Sequence, residues 1–218
     1  RCGMHRMNDQ SGNVITQFFA WLAAVSAALG FSTQDMVFMF FGLIGVLLSL
    51  ASFISGRLDA RKLHKEDQRR TQLLEKYFDA AHFRILDQPV DRQTLFHELC
   101  EQLEEEGFVG AEFLDSVVER EAIVSTMLGD GIALPHSLGL LAHKTAVYTV
   151  LAPQGIAWGD ETAHVIFLLA ISKSEYEEAM AIYDIFVTFL RERAMARLCS
   201  CGDFAEFKTV AVECLSRF

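Results

Sequence analysis

The sequence lacks the cysteine patterns that build disulfide frameworks or zinc sites. Its five cysteines are an odd number, they are scattered, and none stands in a C-x-x-C pair. Cys199 and Cys201 are separated by a single residue. A tetrahedral zinc site needs four ligands at recognisable spacings, and no further candidate ligands lie beside this pair in the sequence. The pattern predicts free thiols in a reducing compartment, with no metal and no cofactor.

The sequence also lacks an even distribution of charge. Residues 1–78 carry 9 Lys and Arg against 6 Asp and Glu, whereas residues 79–218 carry 10 against 23. A surface as acidic as that of the second part does not attract nucleic acid through its bulk charge, so no direct nucleic-acid partner is expected. The contrast indicates a small module joined to one ordinary domain.

Two runs near the N-terminus have no charged residue. Residues 14–30 read VITQFFAWLAAVSAALG and residues 36–56 read MVFMFFGLIGVLLSLASFISG. Because about 20 apolar residues cross the hydrocarbon core of a bilayer, the runs predict an α-helical transmembrane hairpin with a short polar turn. A cleaved signal peptide and a buried hairpin of a soluble protein are the alternatives, although the second run has no polar face.

Basic residues flank this predicted hairpin, and the turn has none. They precede the first run and follow the second: Arg1, Arg6, Arg57, Arg61, Lys62, Lys65, Arg69 and Arg70. The positive-inside rule then places both ends in the cytoplasm. We therefore expect a hairpin of a bacterial inner membrane over 1–56, a basic helical linker over 57–80 and a cytoplasmic domain over 81–218. Gly42 and Gly45 give the second span a small-residue side that favours a homo-oligomer.

The remaining residues alternate between helix and strand patterns. Apolar residues spaced by three or four predict helices near 95–103 and 111–122, a long helix over SEYEEAMAIYDIFVTFLRER and a last helix capped by Asp203. KTAVYTVLA and HVIFLLAI predict buried strands. The alternation predicts an α/β fold in which helices cover a sheet. The aromatic residues expected in its core are Trp158, Tyr183, Phe186 and Phe189.

One histidine stands in a setting suited to phosphoryl transfer. His136 follows Pro135, which stiffens the backbone, and the preceding Gly129 and Gly131 leave room for backbone amides to approach a phosphate. A neutral imidazole nitrogen can act as the nucleophile in such a transfer. A histidine that follows proline at a strand end is otherwise an ordinary loop residue.

Residues 117–159 resemble the active-site region of the fructose/mannitol-type IIA domain of the bacterial sugar phosphotransferase system. The shared patterns are E-R-E, S-T-x-x-G, G-I-A-x-P-H and P-x-G-I-x-W, and the agreement extends over most of residues 83–218. The P-H-S-L ending and the W-G-D-E-x-x-x-V-I-F-L-L-A-I stretch are most similar to the IIA-like domains of BglG-type transcriptional antiterminators. Several coupled motifs at matching spacing are far more specific than one short motif.

The resemblance implies that the sheet of the α/β domain is mixed and flanked by helices, and it implies a role for each motif residue. His136 would accept the phosphoryl group, and the guanidinium of Arg120 would hold the phosphate oxygens by two-point contact. The phosphocarrier protein HPr would be the donor, and a sugar-specific IIB domain or a regulatory partner would receive or sense the phosphate. The residues expected to support the phosphate are Ser125, Thr126 and Gly131.

Other functions for these residues stay open at this point. Arg120 could pair with Glu119 or Glu121, although sequence neighbours do not face each other on a helix. Ser125 and Thr126 could cap the loop instead of binding phosphate.

One position departs from the family pattern. Many members carry a second histidine near the start of the long helix, and by alignment that position is Ala179 here. The departure makes efficient donation to a IIB domain doubtful and favours a regulatory domain whose phosphorylation is sensed by a partner.

The first 78 residues resemble a small two-span phage holin. The resemblance rests on size, topology, the turn STQD and the charged tail RLDARKLHKEDQRR. It implies an alternative function, a membrane-permeabilising hairpin with a fused and inactive IIA-like domain. Three functions therefore remain: a phosphohistidine relay, a membrane-tethered regulatory module, and a holin.

Overall fold

A computed structural model of the chain describes residues 16, 17, 20, 21, 24 and 33–216. The chain divides into two compact units, Arg1–Arg61 and Lys62–Phe218. The five described residues of the first predicted span are helical. The rest of that span, the start of the predicted turn and the basic residues Arg1 and Arg6 lie outside the described residues.

Helix α1 runs from Thr33 to Tyr77 and includes the whole second apolar run. In the first unit, nine of its large apolar side chains are at least half exposed: Phe38, Phe41, Leu43, Val46, Leu47, Leu48, Leu50, Phe53 and Ile54. Within the part of the chain that the structure describes, no helix is both long and apolar enough to cross a membrane. The predicted transmembrane hairpin therefore gains no support, although the second run is helical as predicted.

The second unit is built on a sheet of five strands, which is mixed and flanked by helices as predicted. The strands are β1 (Phe78–Ile85), β2 (Met127–Gly129), β3 (Ile132–Ala133), β4 (Ala146–Trp158) and β5 (Glu161–Ala170). Their order across the sheet is β1-β4-β5-β3-β2. The β1/β4 and β3/β5 pairs are parallel, and the β4/β5 and β2/β3 pairs are antiparallel.

Helices cover this sheet. They are α2 (Arg92–Glu105), α3 (Glu112–Ile123), α4 (Tyr176–Ala179), α5 (Ile182–Arg191), α6 (Met195–Cys199) and α7 (Phe204–Leu215). Asp203 caps α7, as predicted, because its carboxylate accepts from the Glu206 N–H. The prediction of one long helix after β5 is wrong. A 3-10 turn, Lys173–Glu175, leads into α4, and hydrogen bonds of three-residue spacing separate α4 from α5.

The apolar side chains form two clusters, which alternate along the strands. On β5, Phe167 belongs to the cluster that contains Phe186 and Phe189, whereas Ile166 belongs to the cluster that contains Trp158. Successive side chains of a strand point to opposite faces, so the clusters lie on the two sides of the sheet. The core positions predicted for Trp158, Phe186 and Phe189 are confirmed, since each is at most 1% exposed.

Candidate functional site

His136 lies where β3 ends, and backbone hydrogen bonds fix its position. The Leu169 N–H of β5 donates to the Pro135 carbonyl at 2.9 Å, and His136 forms an isolated parallel bridge with Leu169. The Leu134 N–H donates to the Thr126 carbonyl at 2.9 Å. The histidine is half-buried beside two neighbouring segments, which limits the positions its ring can take.

The hydrogen bonds of the imidazole indicate which ring nitrogen is free to react. His136 Nδ1 lies 2.8 Å from the Leu134 carbonyl oxygen, and a carbonyl can only accept, so this contact assigns the proton to Nδ1. Nε2 then carries the lone pair, and Arg120 Nε donates to it at 3.1 Å. Nε2, beside the guanidinium, is therefore the ring nitrogen whose lone pair is available in this arrangement.

Arg120 lies in the last turn of α3 and has a second anchor. Its Nη1 donates to the Val124 carbonyl at 2.7 Å, the residue at which α3 ends. The predicted proximity of Arg120 and His136 is thus present, and no ion pair of Arg120 with Glu119 or Glu121 occurs among the described residues. Two fixed hydrogen bonds hold the guanidinium against the ring nitrogen.

Glu121, which sequence reasoning considered only as a partner of Arg120, is instead a buried anchor. Its side chain is 3% exposed, and Oε1 accepts from Arg92 Nη1 at 3.2 Å. Oε2 accepts from the Thr126 N–H at 3.1 Å and also from the Thr126 hydroxyl. Because both donors of Thr126 bind Glu121, the geometry favours the capping alternative for Thr126 over direct phosphate binding.

The other two residues expected to support the phosphate differ in their surroundings. Ser125 is exposed, and its Oγ accepts from the Met127 N–H at 3.2 Å, which leaves its hydroxyl hydrogen free to donate. Gly131 has φ of 73° in the turn between β2 and β3. A Cβ at Gly131 would lie 3.2 Å from the His164 ring and 3.3 Å from the Met195 side chain, so this glycine permits the close packing of the turn.

Exposed apolar side chains accompany the site. Ile123 and Val124, which follow Arg120, are each 62% exposed, and Leu138 on the loop after His136 is 48% exposed. That loop is tied to α3 because the Leu138 N–H donates to Ser116 Oγ at 2.9 Å. Leu140 lines an open hollow together with residues 173–178.

Tyr183 was predicted to be a core residue and is only half-buried. Burial raises the pKa of its phenol, and the positive charge of Arg120 acts in the opposite direction.

Ala179, aligned with the second histidine of many family members, is fully buried in the cluster that contains Phe186. We expect Ala179→His to lower the free energy of unfolding by about 2 kcal/mol, because a larger, polar ring would enter a packed core. Thermal unfolding of both proteins measures this. The exposed neighbour Met180→His is the control and should unfold like the unmodified chain. An Ala179→His protein of unchanged stability would contradict the core position.

The described cysteines and histidines do not form a metal centre. Among the described residues no group of three or more His, Cys, Asp or Glu side chains could hold an ion. Four cysteines are free thiols, as predicted: Cys100, Cys199, Cys201 and Cys214. Burial raises the pKa of the Cys100 thiol to about 12, so it stays protonated and unreactive.

A protein-family model, described as phosphoenolpyruvate-dependent sugar phosphotransferase system, EIIA 2, matches residues 76–211. The chain is 26% identical over 112 residues to the transcriptional regulator ManR of Bacillus subtilis, covering 51% of this chain and 17% of that protein. It is 31% identical over 122 residues to a multiphosphoryl transfer protein of Haemophilus influenzae, covering 54% of this chain and 24% of that protein. It thus spans about a quarter or less of these relatives.

Solved structures share the fold. One is the complex of enzyme IIAMTL and phosphorylated enzyme IIBMTL from Escherichia coli. It matches with a TM-score of 0.53 and 21% identity, over 62% of this chain and 99% of that one.

Proposed function

Because the chain belongs to the EIIA 2 family of the phosphoenolpyruvate-dependent sugar phosphotransferase system, we propose that His136 accepts a phosphoryl group on Nε2 from HPr. The observation that carries this proposal is the pair of contacts on the imidazole. Nδ1 faces the Leu134 carbonyl at 2.8 Å, and Arg120 Nε faces Nε2 at 3.1 Å. The lone pair of His136 Nε2 and the positive charge of Arg120 thus lie side by side at the position that a transferred phosphoryl group would occupy.

The transfer exchanges one nitrogen–phosphorus bond for another. Nε2 of His136 attacks the phosphorus, and the bond between phosphorus and the donor imidazole breaks, so the electron pair returns to the donor nitrogen. Nδ1 of His136 keeps its proton, and the Leu134 carbonyl stabilises the positive charge that develops on the ring. Arg120 Nε then faces the phosphate oxygens in place of the lone pair, and the guanidinium neutralises their charge.

The phosphate on His136 would be passed to a IIB domain or would change a contact with a regulatory partner. The IIA protein of the Escherichia coli complex binds a phosphorylated IIB protein, and the Bacillus subtilis relative is a transcriptional regulator. The exposed side chains of Ile123, Val124 and Leu138 offer either partner an apolar contact area beside the histidine. A phosphate adds about −1.5 to −2 charges there, enough to alter such a contact.

Incubation with phosphoenolpyruvate, Enzyme I and HPr tests the proposal. We expect acid-labile phosphate on the 218-residue chain, dependent on all three components. Addition of a purified IIB domain then distinguishes the two functions. A relay domain transfers its phosphate to IIB, whereas a regulatory domain keeps the phosphate on His136. A folded chain that takes no phosphate from HPr would refute the proposed function.

A second candidate, association with a bacterial inner membrane as a holin-like homo-oligomer, rests on the exposed apolar side chains of α1. Leu47, Leu50 and Phe53 are each more than half exposed, and basic residues follow them. Exposure of this much apolar surface to water is unfavourable in free energy. Burial of the surface in lipid, or against another copy of the helix, removes that cost. Under this candidate the activity would be permeabilisation of the membrane and would not need His136.

We expect the chain to sediment with membranes of expressing cells and to resist extraction with high salt, because apolar contacts are insensitive to salt. A double replacement of Leu47 and Leu50 by Asp should move most of the protein to the soluble fraction. The replacement of Gln72 by Asp, at an exposed position of the same helix, is the control and should not. Leakage on overexpression of the His136→Ala chain would favour the holin-like activity. An unmodified chain found entirely in the soluble fraction would exclude membrane association.

A further inference from the structure

Glu121 is a charged side chain placed on the buried face of α3. It shares that face with Phe113 and Val117, at successive spacings of four residues. A buried carboxylate is stable only where hydrogen bonds and a counter-charge compensate its lost hydration. Arg92 supplies the charge at 3.2 Å, and the backbone and hydroxyl of Thr126 supply two hydrogen bonds.

A hydrogen-bonded path leads from this carboxylate to the reactive ring. Glu121 holds Thr126 by its N–H and its hydroxyl. The Thr126 carbonyl accepts from the Leu134 N–H at 2.9 Å, and the Leu134 carbonyl lies 2.8 Å from His136 Nδ1. Each hydrogen bond along the path has one possible direction, because a carboxylate or carbonyl oxygen can only accept and a backbone N–H can only donate. The position of the Leu134 carbonyl, which selects the ring tautomer, therefore depends on Glu121.

The same anchor acts on the guanidinium. The segment 124–126 joins α3 to β2, and Glu121 fixes its end at Thr126. Val124, two residues earlier, accepts from Arg120 Nη1 at 2.7 Å. Loss of the Glu121 contacts would release this segment. The hydrogen bond from Arg120 Nη1 to the Val124 carbonyl, one of the two that orient Arg120 toward Nε2, would then be weakened.

We propose that Glu121 is a positioning residue that keeps His136 in the tautomer with a free Nε2 and holds Arg120 against that nitrogen. The inference rests on the proposed function, since it names the residue that prepares His136 and Arg120 for phosphoryl transfer. Glu121 itself touches neither the ring nor the phosphate. Its effect on the reaction passes through Thr126, Leu134 and Val124.

The test compares Glu121→Gln with Glu119→Gln, an exposed neighbour on the same helix. Nitrogen-15 NMR of the unphosphorylated 218-residue chain reports the His136 tautomer, and the rate of labelling from phosphorylated HPr reports the reaction. We expect Glu121→Gln to raise the Nε2–H population and to slow labelling about tenfold, since small displacements of reacting groups reduce rates strongly. Glu119→Gln should match the unmodified chain in both readouts.

A milder pair of variants covers the case in which Glu121→Gln does not fold. Thr126→Val removes only the hydroxyl donor, and Thr126→Ser restores it. We expect Thr126→Val to shift the tautomer and the rate in the same direction as Glu121→Gln, and Thr126→Ser to behave like the unmodified chain. A tautomer and a rate unchanged in folded Glu121→Gln, or in Thr126→Val if the first variant is unfolded, would overturn the inference. If the unmodified chain takes no phosphate, the proposed function fails, and the tautomer measurement still decides whether Glu121 positions the ring.

Discussion

Replacement of His136 by alanine is expected to abolish phosphorylation of the chain by HPr. The reason is chemical, because the variant has no nitrogen at the position that Arg120 Nε faces at 3.1 Å. A histidine elsewhere cannot substitute, since the transfer needs both a free ring nitrogen and a cation beside it. The measurement is acid-labile phosphate after incubation with phosphoenolpyruvate, Enzyme I and HPr, and labelling should fall to the level of a reaction without Enzyme I.

Two controls make the result specific to His136. His143→Ala removes an exposed imidazole from the following loop and should keep full labelling. His136→Gln keeps a polar side chain of similar reach and should be as inactive as His136→Ala. Thermal unfolding must show that each protein is folded. Labelling of folded His136→Ala at the unmodified level would place the phosphate on another residue and refute the assignment.

The strands of the sheet differ in how well the sequence predicts them. β4 and β5 were predicted because their runs of β-branched and apolar residues are long and buried on both faces. β1 was not predicted. Its sequence FDAAHFRI mixes alanine and charged residues with two phenylalanines, and it pairs only with β4 at the edge of the sheet. An edge strand needs fewer apolar residues than a central one, so its signal in the sequence is weak.

The break between α4 and α5 shows a different limit. The segment SEYEEAMAIYDIF contains neither glycine nor proline, so helix periodicity continues across it. The chain nevertheless tightens there, with the Ala181 N–H donating to the Glu178 carbonyl at 3.1 Å. Ala179 and Ile182 on either side of the break are both buried. Tertiary packing, which the local sequence does not encode, sets the course of this segment.

The site could be predicted only in part. Arg120 and His136 are 16 residues apart in the sequence, so the prediction of their proximity came from the motif resemblance. The anchor at Glu121 was missed, although a signal was present. The spacing of Phe113, Val117 and Glu121 places a carboxylate on the apolar face of α3, and a charge at such a position needs a partner. That partner, Arg92, is 29 residues away, and no local pattern indicates it.

The sequence also predicted the helix at residues 36–56 better than it predicted what surrounds that helix. Absence of charge over residues 36–56 correctly predicted a helix, because an apolar segment must satisfy its own backbone hydrogen bonds. Whether such a helix crosses a membrane depends on its surroundings as well as on its sequence.

Replacement of Arg120 by lysine is expected to slow phosphorylation of His136 by about 100-fold, although the positive charge is kept. The arginine donates from Nε to His136 Nε2 and from Nη1 to the Val124 carbonyl at the same time. A lysine has a single ammonium group, so it cannot hold the Val124 carbonyl and also meet phosphate oxygens at two points. Arg120→Ala should be slower still, since it also removes the charge.

The dependence of the rate on HPr concentration distinguishes this role from a role in docking. Arg120 faces the nitrogen that we propose receives the phosphorus, so its loss should reduce kcat and leave KM for HPr nearly unchanged. A residue of the surrounding apolar surface should behave in the opposite way, and Leu138→Ser, which alters an exposed side chain of the loop after His136, provides the comparison. Arg193→Lys, at an exposed position of the same domain, controls for the exchange of arginine for lysine and should change neither constant. If Arg120→Lys instead raised KM with an unchanged kcat, the guanidinium would bind the donor protein and not the transferred phosphoryl group, and the mechanism drawn from its contact with Nε2 would be wrong.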